Sequence, residues 1–145
     1  MFRAALAKRR CLVPADAFYE WKALPDGKQP YAIARTDGAP LAFAGLWEAW
    51  RSPDDEILRT FTILTTAANG DMAQLHNRMP VILEEEDWRA WLGEVPRDPV
   101  ELLRPAAADS DEGGHPFQSD RGHHSNLMAA RVMASLGRVF HFMVG

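Results

Sequence analysis

Short segments rich in β-branched and aromatic residues, separated by turn sequences, dominate the first half of this 145-residue chain. The turn sequences ALPDGKQ, DGAP and RSPDDE contain proline, which presets φ, and in two of them glycine, which permits angles that other residues avoid. Between them, the residue pattern predicts a strand from Cys11 that is interrupted at Pro14, followed by the strands FYEWK, PYAIART, LAFAGLWEAW and ILRTFTILTTA. Because consecutive strands joined by short turns usually pair, we expect an antiparallel meander.

The second half of the chain predicts helices. EEEDWRAWLG carries acidic residues where a helix begins and Gly93 where it ends, which suits the helix dipole and a glycine C-cap. DPVELLR predicts another helix with Asp98 as its cap, and residues 3–9 predict a short basic helix. The predicted fold class is therefore α+β: a β-rich domain over residues 1–104, in which helices pack on an antiparallel meander or barrel-like sheet.

The end of the chain has a different composition. Residues 105–125 are rich in Gly, Ser, Asp and His and contain almost no apolar residues, which predicts a low-complexity or disordered linker. Residues 126–145 recover helical spacing, because Met128, Val132, Leu136 and Phe140 recur every four positions. We expect this last segment to be an amphipathic tail.

Composition and charge limit the classes of function. A hydrophobic fraction of 47% and a charged fraction of 25% are typical of a globular domain. The net charge of −4 gives no overall attraction to nucleic acid, although a local patch could bind it. The opening MFRAALAKRRC lacks the apolar core of a signal peptide, and the single cysteine fits a reducing compartment. We expect a cytoplasmic protein that has no membrane partner.

Glu20, in the strand FYEWK, is the first candidate for a functional residue. It shares one face of the strand with Phe18, while Tyr19 and Trp21 share the other. If that face is covered, burial raises the pKa of the carboxyl toward neutrality and suits it to proton transfer. Alternatively, Glu20 is a solvated residue of an edge strand that pairs with Lys22. The strand pattern leaves both interpretations open.

The segment LHNRMP brings polar residues together just before Pro80. Loops that follow an apolar strand often carry functional side chains on a rigid sheet. The imidazole of a histidine such as His76 is a common proton carrier in proteins, and Arg78 can donate two hydrogen bonds to a phosphate. A histidine that caps a turn and an arginine in solvent explain the segment equally well. Upstream, Thr65 and Thr66 point to opposite faces of their strand, so at most one of them serves a given pocket.

The remaining candidates favour structural interpretations. Cys11 lies between two arginines and two apolar residues, where a buried structural thiol is a better explanation than a reactive thiolate. The low-complexity segment also contains three histidines, His115, His123 and His124. They have neither cysteine partners nor helical spacing, so they are poor candidates for metal ligands. We expect neither a metal nor a cofactor.

Taken together, three segments resemble the SOS response-associated peptidase (SRAP) family in order and spacing: RRCLVPADAFYEWK, PYAIARTDGAPLAFAGLWEAW and TFTILTTAANGDMAQLHNRMPVILEEEDWRAWL. Members of this family shield abasic sites in single-stranded DNA. The resemblance implies a β-rich α+β fold with a basic groove, and a site in which Glu20 and His76 face one another as catalytic residues. It also implies that Thr65 and Arg78 contact the DNA. The partner would be single-stranded DNA with abasic sites, bound by a monomer.

The resemblance also implies a mechanism that depends on a cysteine directly after the initiator methionine. The α-amine of that cysteine attacks the aldehyde of the abasic sugar, and its thiol closes a thiazolidine. Position 2 here is Phe, and Cys11 has no free α-amine. We therefore expect an incomplete family domain, truncated at the N-terminus and divergent at the C-terminus, that is defective in cross-linking. The alternatives are a peptidase or other hydrolase that uses Glu20 and His76, and a non-catalytic fragment.

Overall fold

The strand Leu41–Arg51 organises the fold, because it pairs with one strand that precedes it and one that follows it in the sequence. A computed structural model describes residues 2–107 and 127–131. In chain order its elements are α1 (Arg3–Lys8), β1 (Arg10–Ala15), β2 (Phe18–Leu24), β3 (Gly27–Arg35), β4 (Leu41–Arg51), β5 (Ile57–Ile63), β6 (Thr65–Ala67), a 3₁₀ helix (Met72–Gln74), β7 (Arg78–Pro80), α2 (Glu85–Leu92), a second 3₁₀ helix (Pro99–Leu102) and β8 (Leu127–Arg131).

All described strand pairs are antiparallel, but they form separate sheets instead of one meander. The sheets have the strand orders β1-β4-β5, β2-β3-β8 and β6-β7. The predicted α+β class is confirmed. The predicted hairpins β2–β3 and β4–β5 are also present. The continuous meander is wrong at one connection: β3 and β4 do not pair, and β4 pairs with β1 instead, with Val13 opposite Phe43. The described strands form no closed barrel.

Alternate residues of β4 face two separate cores. This explains why β4 does not pair with β3, the strand that precedes it in sequence. Residues 41–46 are all buried, as in a strand covered on both faces. One face packs against both α-helices in a core made of Ala5, Ala44, Leu46, Val81, Leu83, Ala90, Trp91 and Leu102. The other face packs against the β2–β3 hairpin in a core made of Val13, Phe18, Ile33, Leu41, Phe43, Met72, Met79 and Ile82.

The helices begin and end where the sequence predicts. The helix α2 starts after Glu84 with acidic residues in its first turn, and it ends at Gly93, whose φ of 83° is left-handed. The predicted helix at DPVELLR is a short 3₁₀ helix, and the Asp98 side chain accepts a hydrogen bond from the Val100 backbone N–H at 2.9 Å. The basic helix at the start is α1. The Gly93 C-cap therefore fixes the end of α2, and the Asp98 cap fixes the start of the second 3₁₀ helix.

Two polar side chains hold the helical layer together. The Arg10 guanidinium donates to the carbonyl of Trp91 at the end of α2 and to that of Leu6 in α1, the latter at 2.5 Å. Asp87, which is 5% exposed, accepts from Arg97 and Arg104, both at 2.7 Å. These charge-assisted bonds satisfy helix ends and a carboxylate that would otherwise be buried without partners.

The tail departs from its predicted helical form where it is described. Residues Leu127–Arg131 form β8, which pairs with the free edge of β3 and places Tyr31 opposite Arg131. The helix predicted from the spacing is therefore wrong for these five residues. The open edge of β3 offers backbone hydrogen-bond partners, and the periodicity of the sequence does not reveal them. The predicted linker lies mostly outside the described residues, as does the rest of the tail, so the domain boundaries stay predictions.

Candidate functional site

Glu20 lies on the covered face of β2 and is not a solvated edge residue. Its burial alternates with that of its neighbours as the strand pattern predicts, and only 6% of it is exposed. Its oxygen Oε1 is buried and has no hydrogen-bond partner among the described residues. The ion pairs of the described residues include none with Lys22. A carboxylate that is buried with an unpaired oxygen is costly to the fold, which is typical of functional sites.

His76 is the charged group that acts on this carboxylate. Burial raises the pKa of Glu20 above its ordinary value of 4.5, while the charge of His76 and a hydrogen bond from the Trp21 backbone N–H act in the opposite direction. The two side chains, far apart in sequence, therefore interact electrostatically. His76 itself is half-buried, and its Nδ1 lies 3.2 Å from the backbone nitrogen of Arg78.

Arg78 and Thr65 are joined across the β6–β7 pair. The Arg78 side chain donates to the Thr65 hydroxyl from Nε at 2.9 Å and from Nη2 at 2.6 Å, and to the Thr65 carbonyl from Nη2 at 2.8 Å. Its third nitrogen, Nη1, has no hydrogen bond within residues 2–107, and the residue is exposed. The guanidinium is thus held in a fixed orientation with donors left for a ligand. Thr66, on the other face of β6, takes no part in these bonds.

One apolar core contains sequence neighbours of Glu20, of His76 and of Arg78. Phe18, next to Glu20 on the same face of β2, belongs to the core that also contains Met72 and Met79. Met72 lies in the loop that precedes His76, and Met79 follows Arg78 in β7. The strand that carries Glu20 and the segments that carry His76 and Arg78 therefore contribute apolar residues to the same core.

The other sequence candidates have different surroundings. Cys11 lies opposite Gly45 in the β1–β4 pair, and burial raises the pKa of its thiol, which favours the structural interpretation over a reactive thiolate. The basic residues near the N-terminus are partly engaged within the fold: Arg9 pairs with Glu48 at 2.7 Å, and Arg10 joins the two helices. The histidines of the low-complexity segment lie outside the described residues.

Asn69 is a residue of the site region that the sequence analysis did not single out. Its Oδ1 accepts from the Met72 backbone N–H at 2.9 Å, and its Nδ2 donates to the Ala106 carbonyl at 3.1 Å. An asparagine three residues before a helical turn is a capping signal that the sequence NGDM contains. No local sequence pattern indicates its hydrogen bond to Ala106, because the two residues are far apart in the chain.

Two absences concern the described part of the chain alone. No group of three His, Cys, Asp or Glu side chains in it is arranged to hold a metal ion. In the same residues, no helix combines the length and the hydrophobicity that a membrane crossing requires.

A buried carboxyl and a histidine are groups suited to proton transfer, and an arginine oriented by a threonine is suited to holding an anion. Here these groups lie on an α+β domain of small antiparallel sheets. Comparison with known families identifies the domain: residues 1–115 match the model of the SOS response associated peptidase (SRAP) family, and the chain belongs to that family.

Relatives and solved structures give the same result. The chain is 45% identical to "Abasic site processing protein YoqW" of Bacillus subtilis, over 77% of the chain and 51% of that protein. It is 36% identical to "Abasic site processing protein HMCES" of Xenopus tropicalis, over 72% and 38% respectively. A crystal structure of a Bordetella bronchiseptica protein superimposes with a TM-score of 0.71 at 33% identity, covering 92% of this chain and 59% of that one. The chain thus spans about half the length of the curated Bacillus relatives it matches.

Proposed function

We propose that this chain processes abasic sites in single-stranded DNA. The observation that supports the proposal is the burial of Glu20, on whose carboxyl the charge of His76 acts, in a chain that is 45% identical to a protein named for abasic site processing. An abasic sugar is a cyclic hemiacetal, and its chemistry as an aldehyde requires proton transfers that a carboxyl and an imidazole can perform.

Glu20 and His76 have complementary tasks in this proposal. Opening the sugar ring removes the proton of the anomeric hydroxyl, breaks the bond from the anomeric carbon to the ring oxygen and returns a proton to that oxygen. Burial raises the pKa of Glu20, so that it holds a proton at higher pH than a solvated glutamate does. The pair can therefore supply one proton and accept another without net consumption.

Arg78 and Thr65 serve the DNA backbone in this proposal. The hydrogen bonds to Thr65 orient the guanidinium and leave its Nη1 for a phosphate next to the abasic sugar. Phosphate contacts of this kind position a strand and do not read its sequence. The net charge of −4 makes such a local contact more important, because the chain as a whole repels DNA. We propose that the chain binds the DNA as a monomer and that it uses no metal, cofactor or membrane partner.

Binding is the first test. A labelled single-stranded oligonucleotide with one abasic site and an intact oligonucleotide of the same sequence are titrated by fluorescence anisotropy at several salt concentrations. We expect the abasic strand to bind more tightly than the intact one. In Arg78→Gln, we expect the slope of log affinity against log salt concentration to fall by about one, which corresponds to one lost phosphate contact. The control is Arg89→Gln, which removes an exposed arginine of α2. Equal binding of the two strands would overturn the proposal.

Proton transfer is the second test. An alkoxyamine traps the aldehyde of the abasic strand, and at high alkoxyamine concentration ring opening limits the rate. We expect the chain to accelerate trapping, and Glu20→Gln or His76→Gln to reduce that acceleration by about 10²-fold, while binding is retained. Trapping that the parent chain leaves unchanged would refute the assignment of the pair.

A further inference from the structure

The loop between β6 and β7 carries His76, and one side chain holds that loop in place. Asn69 uses both ends of its amide: Oδ1 accepts from the Met72 N–H at 2.9 Å, and Nδ2 donates to the Ala106 carbonyl at 3.1 Å. Its backbone carbonyl accepts from the Ala73 N–H at 2.9 Å. The residue therefore accepts from the first N–H of the 3₁₀ turn, as a capping side chain does, and also ties the turn to the segment after the second 3₁₀ helix.

Met72 passes this constraint on to His76. The Met72 carbonyl accepts from the backbone N–H of His76 at 2.8 Å and from that of Leu75 at 2.9 Å. Its side chain is 2% exposed and lies in the same core as Phe18, the neighbour of Glu20. Met72 is thus fixed against the strand that carries Glu20, and its carbonyl fixes the position of the His76 backbone.

We propose that Asn69 is the positioning residue that holds His76 against Glu20. The capping oxygen Oδ1 performs this task, and the bond from Nδ2 to Ala106 is secondary, because only the capping bond leads through Met72 to the His76 backbone. The chemical task of His76 rests on the proposed function, whereas the positioning itself is a property of the free protein. Asn69 touches neither reacting group and acts through the turn alone.

The test measures how strongly His76 acts on Glu20 without any DNA. The pKa of the Glu20 carboxyl is measured by NMR titration in the parent chain and in His76→Gln, and the difference defines the His76 effect. The same difference is then measured in Asn69→Ala, in Asn69→Asp and in the control Asn77→Ala. Asn77 is an exposed residue of the same type in the same loop, and its side chain makes no hydrogen bond within residues 2–107.

We expect Asn69→Ala to reduce the His76 effect to less than half, while Asn77→Ala leaves it unchanged. Asn69→Asp keeps an accepting oxygen and loses the donor to Ala106, so it should retain the effect. An undiminished effect in Asn69→Ala, or its loss in folded Asn69→Asp, would overturn the proposal. If Asn69→Ala does not fold, the aspartate variant still decides. Because no DNA is present, a chain that is inactive on abasic strands gives the same result if the positioning is correct.

Discussion

At the scale of single residues, Glu20 is the side chain whose placement opposes stability. Its Oε1 is buried without a partner among the described residues, in a strand where an apolar side chain would pack without that penalty. Groups of this kind persist where their altered chemistry is used. The burial of Glu20 therefore gives both a functional argument and a measurable effect on folding.

The first prediction concerns the pH dependence of Glu20→Gln. The pKa of Glu20 is raised in the folded state, mainly by burial, so the folded chain binds more protons than the unfolded chain between the ordinary pKa of 4.5 and the raised value. The free energy of unfolding therefore falls as pH rises through that window. Glutamine does not titrate, so we expect Glu20→Gln to gain stability relative to the parent as pH increases from 4 to 8.

Urea denaturation at both pH values measures this gain. The control is Glu56→Gln, which changes an exposed glutamate in the β4–β5 loop and should show the same pH dependence as the parent. A relative stability of Glu20→Gln that stays constant across the range would mean that Glu20 is solvated in solution.

Sequence reasoning reached only part of the site at this scale. The period of the strand places Glu20 beside Phe18, but whether that face is covered depends on a core to which distant segments contribute. The contact of Arg78 with Thr65 follows from the pairing of β6 with β7, which no local pattern specifies. The assignment of Glu20 and His76 to one site came from the family resemblance and not from spacing.

At the scale of elements, helices and hairpins were predictable, whereas the distribution of strands among sheets was not. Turn sequences and caps are local, so β2–β3, β4–β5 and α2 lie where the residue pattern puts them. The choice of β1 over β3 as the partner of β4 depends on which buried faces fit together in two cores. The strand β8 likewise pairs with an edge that its own sequence does not specify.

The second prediction concerns the end of α2. Gly93 has a φ of 83°, and a Cβ there would lie 2.7 Å from Nη2 of Arg10, the side chain that joins the two helices. We expect Gly93→Ala to cost about 1–2 kcal/mol from the left-handed backbone and about 1 kcal/mol more from the displaced hydrogen bonds of Arg10. Thermal unfolding measures the sum.

Gly38→Ala is the matched control for this change. Gly38 has a similar φ of 73°, but a Cβ there meets nothing within 4 Å. It should therefore lose only the backbone contribution, and the difference between the two variants reports the contact with Arg10. Equal losses would mean that Arg10 moves aside without cost.

At the scale of the whole molecule, the outer part of the β4–β5 hairpin, residues 47–62, stands apart from the cores. We call it the hairpin arm. It exposes large apolar side chains, with exposed fractions of 37% for Trp47, 58% for Trp50, 54% for Ile57, 56% for Leu58 and 51% for Phe61. Apolar surface on an edge strand favours association with other chains. The expectation of a monomer therefore has to be tested at this surface.

The last prediction is that the hairpin arm sets the tendency of the chain to self-associate. Trp50 lies opposite Leu58 in the hairpin, and both are more than half exposed. We expect the parent chain to sediment as a monomer when dilute and to associate as its concentration rises, because association removes this apolar pair from water. The double variant Trp50→Lys, Leu58→Lys should stay monomeric. Asp54→Lys, at the exposed tip, changes the net charge by the same amount and keeps the apolar pair, so it should associate like the parent. Suppression of association by both variants would assign the effect to charge, and a parent chain that stays monomeric throughout would show that this surface does not drive association.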